Sequence, residues 1–104
     1  DNKEDFTDQQ YQNIHQMFKL VDEALTQMNF MFTHDRHTLT MTHTFNIETE
    51  INNYRNQLRN QNLDDVDNHL YTYGVGTMYM DIIQECEKLG DYVVNVAEAR
   101  VGVR

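Results

Sequence analysis

Val75 to Val101 reads VGTMYMDIIQECEKLGDYVVNVAEARV, and its periodicity decides the fold class. Val75, Tyr79, Ile82, Cys86, Leu89, Val93 and Val96 recur at intervals of four and three. That is the spacing of one buried face on a helix, and a seam this regular suits an antiparallel helical bundle. Gly74, Gly76 and Gly90 interrupt the apolar pattern and permit close backbone approach, although a mid-helix glycine costs about 1 kcal/mol relative to alanine.

Acids run beside this oily face. Glu87, Asp91 and Glu98 are four and then seven residues apart, which at 100° per residue places them within about 40° of one another. Like charges at that spacing repel and weaken a helix, so a metal ion, a basic partner or solvent must offset the repulsion. The stripe is separated from the apolar seam by Ile83, Val94 and Val101 and is read as lying at the edge of the buried face.

Upstream, TDQQ at Thr7–Gln10 matches a capping box, and Ile14, Met17, Phe18, Val21, Leu25, Met28 and Phe32 follow at threes and fours. A helix is expected over residues 8–34, with that stripe facing the core. The segment HTLTMTHTFN (37–46) alternates like a strand, but nothing else in the chain offers a partner strand. It is read as a turn leading into a second helix, about 43–69, with Ile47, Ile51, Tyr54 and Leu58 inward. NQNLDD (60–65) either ends that helix or carries it on through Leu63, Val66 and Leu70, so a short extra helix before the third, at 72–101, stays open. The 104 residues are enough for one domain with one core. The expected fold is all-α, an antiparallel three-helix bundle running up, down and up.

Composition agrees. The chain has no proline and four glycines, 39% hydrophobic residues, and a net charge of −9 from 17 acids and 8 bases. Few helix breakers favour helix, and the absence of a basic stripe argues against nucleic acid as a partner. One cysteine, Cys86, cannot make an internal disulfide, and its place on the seam reads as packing. No apolar run has the length of a membrane span and no signal peptide is visible. The chain opens at Asp1 on the polar DNKED, which reads as a segment of something longer.

Candidate ligands follow from the helix faces. Glu48 and Glu50 flank the seam of the second helix, and with the third helix's acids they would make an oxygen-rich site suited to a hard or borderline cation. His34, His37 and His43 lie close in sequence but lack a completing cysteine or glutamate, and read as a polar corner. No Glu-x-x-His occurs, which removes a ferritin-type di-iron site. No base stands beside a nucleophile, so a metal-dependent phosphohydrolase, and enzyme function generally, is not expected.

The stretch YMDIIQECEKLGDYVVNVAEA (79–99) resembles the last helix of PhoU-like domains, which carries a run E-R-I-G-D-H-A-V-N-I-A-E; IETEINNYRNQLRNQNL (47–63) resembles the helix before it. The second match is similar to the C-terminal cytoplasmic domain of bacterial sodium/phosphate (Na/Pi) cotransporter-like proteins. The resemblance implies a regulatory bundle, at the cytoplasmic side of the inner membrane, that adjusts phosphate transport or signalling with the membrane transporter domain of the same polypeptide as partner. It also implies a metal role (Fe, Mn, Zn or Mg) at Glu87 and Asp91, with weaker matches at Glu48 and Asp81. Two positions depart from the pattern: Tyr92 stands in place of histidine, and Asn52 in place of an acid. A homodimer through a purely structural helical face is the competing expectation, favoured if three packed helices leave an apolar seam exposed.

Overall fold

The computed structural model describes residues 5–102, so most of the polar lead at Asp1 lies outside the described residues. Three helices, α1 (Asp8–Phe32), α2 (Thr42–Asp67) and α3 (Tyr73–Val101), pack as an up-down-up bundle, with one 3₁₀ turn at Arg36–Thr38 between the first two. Among the described residues there is no strand. The fold class is therefore the expected one, and the Thr-rich segment is a turn that enters α2 at Thr42.

Side chains fix most of the helix ends. The Thr7 hydroxyl accepts from the Gln10 amide and the Gln10 side chain accepts from the Thr7 N–H, the reciprocal cap read from the sequence. Thr72 caps α3 by accepting from the Val75 N–H. Gly102, with φ at 86°, ends it, where a left-handed residue without Cβ is favoured.

No extra helix separates α2 from α3. α2 continues to Asp67, where the His69 N–H donates to the Val66 carbonyl and the Leu70 N–H to the Asp65 carbonyl, with His69 left-handed at φ 60°. That pair of bonds satisfies the last carbonyls of a helix and turns the chain out of it. Leu70 lies past this stop, and 63% of it is exposed.

Packing moves the core away from the largest side chains. On α3 the buried set is Val75, Gly76, Tyr79, Met80, Ile83, Cys86, Gly90, Val93 and Ala97, whereas Leu89 is 45% exposed and Ile82 and Val96 are half-buried. The buried face is thus turned by roughly 60° from the expected seam, toward the acids. Glycine is the reason. A Cβ on Gly90 would lie 3.1 Å from Ile51 Cδ1, and one on Gly76 would lie 3.0 Å from both Asn62 and Val66, so α2 sits against the smallest residues of α3. α1 is turned likewise: Ile14, Met17, Leu20, Val21, Ala24 and Met31 are buried, while Phe18 and Phe32 are half-exposed. On α2, Ile47, Ile51 and Leu58 are buried as the pattern requires.

Candidate functional site

The acidic edge of α3 meets α2 at one well-defined contact. α2 and α3 are antiparallel, so Ile51 lies against Gly90 and Arg55, one turn further along α2, reaches Glu87. The Arg55 guanidinium donates to the Glu87 carboxylate at 2.8 Å, and both side chains are about four-fifths buried (22% and 20% exposed). Arg55 Nε also donates to Asn56 at 3.0 Å, which holds the guanidinium in place. The charge on Glu87 is therefore met from within the fold, by a planar donor that matches a carboxylate.

The other expected ligands are arranged around this pair without joining it. Glu48 lies one heptad before Arg55 on the same face of α2, half-buried, and accepts from Asn52 Nδ2 at 3.1 Å. The opposite atom of that amide, Asn52 Oδ1, is buried with no hydrogen-bond partner. Asp91, one turn beyond Glu87, is exposed, and Glu98 is half-buried. Asp81 is exposed and lies about 120° around α3 from Glu87, on a different face. Glu50 is turned to the α1 side, beside Gln16 and Leu20. Among the described residues no three His, Cys, Asp or Glu side chains come together to hold a metal ion. One orphaned amide oxygen and one amide-bonded carboxylate are too few donors, and the cation position beside Glu87 is taken by Arg55. The residues as folded do not fit a metal.

The histidines are a corner of the fold. His34 stacks on Phe30 with ring centroids 3.8 Å apart, and its carbonyl accepts from Arg100, which also donates to the Met31 carbonyl. Arg100 thereby ties the end of α1 to α3. Burial, and then the neighbouring charge of Glu85, push the Cys86 thiol up, so it is a packing residue rather than a nucleophile.

The sequence reading missed a polar cluster at the other end of the bundle. Asn13 on α1 donates to the Tyr79 hydroxyl at 3.0 Å and accepts from Tyr54 at 3.3 Å, joining all three helices through one amide. Beside it, Tyr71 donates to Asn62 at 2.8 Å and approaches Asp65 at 3.4 Å. Burial, followed by the charge of Asp65, pushes the Tyr71 phenol up to about 12. A cleft of about 510 Å³ opens here, lined in part by Gln9, Gln57, Gln61, Asp65 and Tyr71. Its lining has no lysine or arginine and one carboxylate, so it does not suit a phosphate anion. The available signal was Asn13 beside the α1 stripe, together with Tyr54 and Tyr79 on the inward seams, whose hydroxyls need a partner once buried.

No helix of the described residues is long and apolar enough to cross a membrane. No curated protein and no solved structure shows significant similarity to the chain. The PhoU domain model matches residues 14–99, a span that takes in all of α2 and most of α1 and α3. The three-helix order and the glycine-seated contact between α2 and α3 fall inside that span, and the chain belongs to the PhoU domain family.

Proposed function

We propose that this PhoU domain is the regulatory module of a Na/Pi cotransporter-like membrane protein, at the cytoplasmic side of the inner membrane, which adjusts phosphate uptake by docking on the membrane domain of the same polypeptide. The observation that carries the reading is the run Glu87, Gly90, Asp91, Asn95, Ala97, Glu98 on α3, inside the family match. Packing accounts for part of it: Gly90 and Ala97 are buried in the bundle and Glu87 is held by Arg55. Asp91 stays exposed, and packing gives it no role, so it marks the edge available to a partner. The net charge of −9 supports the same docking. Cytoplasmic loops of membrane proteins carry an excess of Lys and Arg, and an acidic bundle is steered toward such a surface. Arg55 fills the cation position at Glu87, so regulation runs through protein contact and not through a resident metal.

Phosphate uptake by cells carrying the whole transporter tests this. Deleting the domain changes uptake, and the charge reversal Asp91→Lys reproduces the direction of that change while leaving the melting temperature of the isolated bundle unaltered. Uptake indifferent to both changes would sink the regulatory reading.

A further inference from the structure

Two clefts adjoin at the end of the bundle where α2 stops and α3 starts. The first, of about 510 Å³, lies between Gln9 and Asn13 on α1 and Gln57, Gln61 and Asp65 on α2. The second, of about 520 Å³, is lined in part by Asp5 and His69. Both take Thr7, Leu70 and Tyr71 as a shared wall, so a largely apolar ridge stands between Asp65 and Asp5. Each cleft has the volume of a small-molecule site.

The first cleft is richer in acceptors than in donors, because the fold uses its donors internally. Gln9 Nε2 donates to Asn13 Oδ1 at 3.0 Å, Asn13 Nδ2 to the Tyr79 hydroxyl at 3.0 Å and Gln61 Nε2 to Asp65 Oδ1 at 2.9 Å. The amide oxygens of Gln9 and Gln61 accept from none of the described residues. Asp65 is half-buried and meets only neutral donors, Gln61 and, at 3.4 Å, the Tyr71 phenol. The ion pairs among the described residues, Arg55 with Glu87 and Lys88 with Glu85, leave it out. Asp64 and Asp67 share its turn at the end of α2, which carries no base and where the helix dipole is already negative. Arg59, the nearest base along α2, lies about 120° around the helix from Asp65. Apart from His69, neither lining holds a basic side chain. In the second cleft Asp5 takes the Phe6 N–H and the Tyr11 hydroxyl both on Oδ1, which leaves Oδ2 open to a ligand. Beside Tyr71, the buried Gln10 Nε2 has no hydrogen-bond partner.

We propose that the paired clefts bind an aliphatic polyamine, with one ammonium on Asp65, the methylene chain across Leu70 and the Tyr71 ring, and a second ammonium at Asp5. A primary ammonium offers three donors to carboxylate and amide oxygens, and an aromatic face attracts a cation beside it. An ammonium on Asp65 replaces the long Tyr71 contact, and the phenol oxygen is then free to accept from Gln10. The net charge of −9 draws polycations to the chain. The clefts lie roughly four turns of α3 from Asp91, so their failure leaves the transporter reading untouched.

Calorimetric titration of the chain with spermidine tests the proposal. One-to-one binding with a Kd on the order of 100 µM is expected. Asp65→Asn weakens it about tenfold and Asp5→Asn about threefold, while circular dichroism stays helical. Asp64→Asn removes the same charge at an exposed position outside both linings and leaves the affinity within about twofold. n-Butylamine and N-acetyl-lysine amide, each with one ammonium, bind at least about tenfold more weakly than spermidine. Absence of spermidine binding overturns the site. So does an equal loss at Asp64 and Asp65, which marks attraction to the acidic surface at large. A one-ended amine that binds as tightly as spermidine overturns the span to Asp5, and with it the polyamine.

Discussion

α3 has two neighbours and meets them by opposite means. Against α2 it presents glycine: Ile51 fits over Gly90, Asn62 and Val66 over Gly76, and the outer edge of the contact is closed by Arg55 on Glu87. Against α1 it presents bulk inside, with Tyr79 and Val93 buried, and bulk outside, with Leu89 exposed. A close contact made by small residues pulls a helix round toward the neighbour that can approach, and it carries the large residues on the far flank out toward water. The same rotation that brings Glu87 to four-fifths burial leaves Phe18 and Leu89 about half exposed.

Two truncations on α3 separate the buried face from the one the large residues suggest. Ile83 is fully buried, so Ile83→Ala removes core contacts and leaves a cavity, at a cost of about 2–5 kcal/mol. Leu89→Ala costs less than about 1 kcal/mol, because nearly half of Leu89 already faces water. Urea unfolding of the two variants reads this directly through the midpoint at constant slope. Equal losses, or a larger loss at Leu89, would restore the seam that runs through Ile82, Leu89 and Val96 and remove the rotation.

The contrast also accounts for what the sequence made legible. Three helices, their order, the Thr7 cap and the α2 core follow from spacing and cap chemistry, which are local. The rotation of α1 and α3 does not. For α3 it depends on Gly76 and Gly90 seating α2; the sequence reading allowed these glycines a close backbone approach but not which helix would use it. The acidic edge was placed at the border of the buried face, and Glu87 stands there. Its partner Arg55 sits 32 residues away, on another helix, and only the antiparallel register between Ile51 and Gly90 brings it in. Tyr54 and Tyr79 were placed inward by the seams, but Asn13 and the bonds that join the three escaped for a related reason, since their hydroxyls and amide satisfy one another only after three helices meet.

The edge of the α2–α3 contact gives a smaller effect. Arg55→Met leaves a mostly buried carboxylate unpaired, so it costs more than Glu87→Gln, and a cycle of the two with their double variant yields a coupling of about 1 kcal/mol. Neither chelator nor added Fe, Mn, Zn or Mg shifts the melting temperature of the unaltered domain. A rise with one of these ions that Glu87→Ala with Asp91→Ala abolishes would mean that the ion displaces Arg55, and the acidic edge would then be a metal site after all.

The smallest effect lies at the end of the bundle, where both contacts of α3 begin. Tyr71 keeps its phenol protonated in the fold up to about 12, against an ordinary 10.0, and Tyr54 and Tyr79 are raised by burial. A raised pKa here means that the folded chain holds a proton which the unfolded chain gives up first. The contribution is whole below pH about 10 and is lost as pH climbs toward 12. Stability therefore falls over that window, and Tyr71→Phe makes the fall shallower while removing hydrogen bonds to Asn62 and Asp65 worth roughly 1 kcal/mol at neutral pH. Thermal unfolding of both chains across the alkaline range measures the difference. Parallel alkaline limbs would place Tyr71 in water. The contact of Asn62 with Gly76 would then be a matter of packing alone, without the tyrosine that anchors Asn62 from the turn.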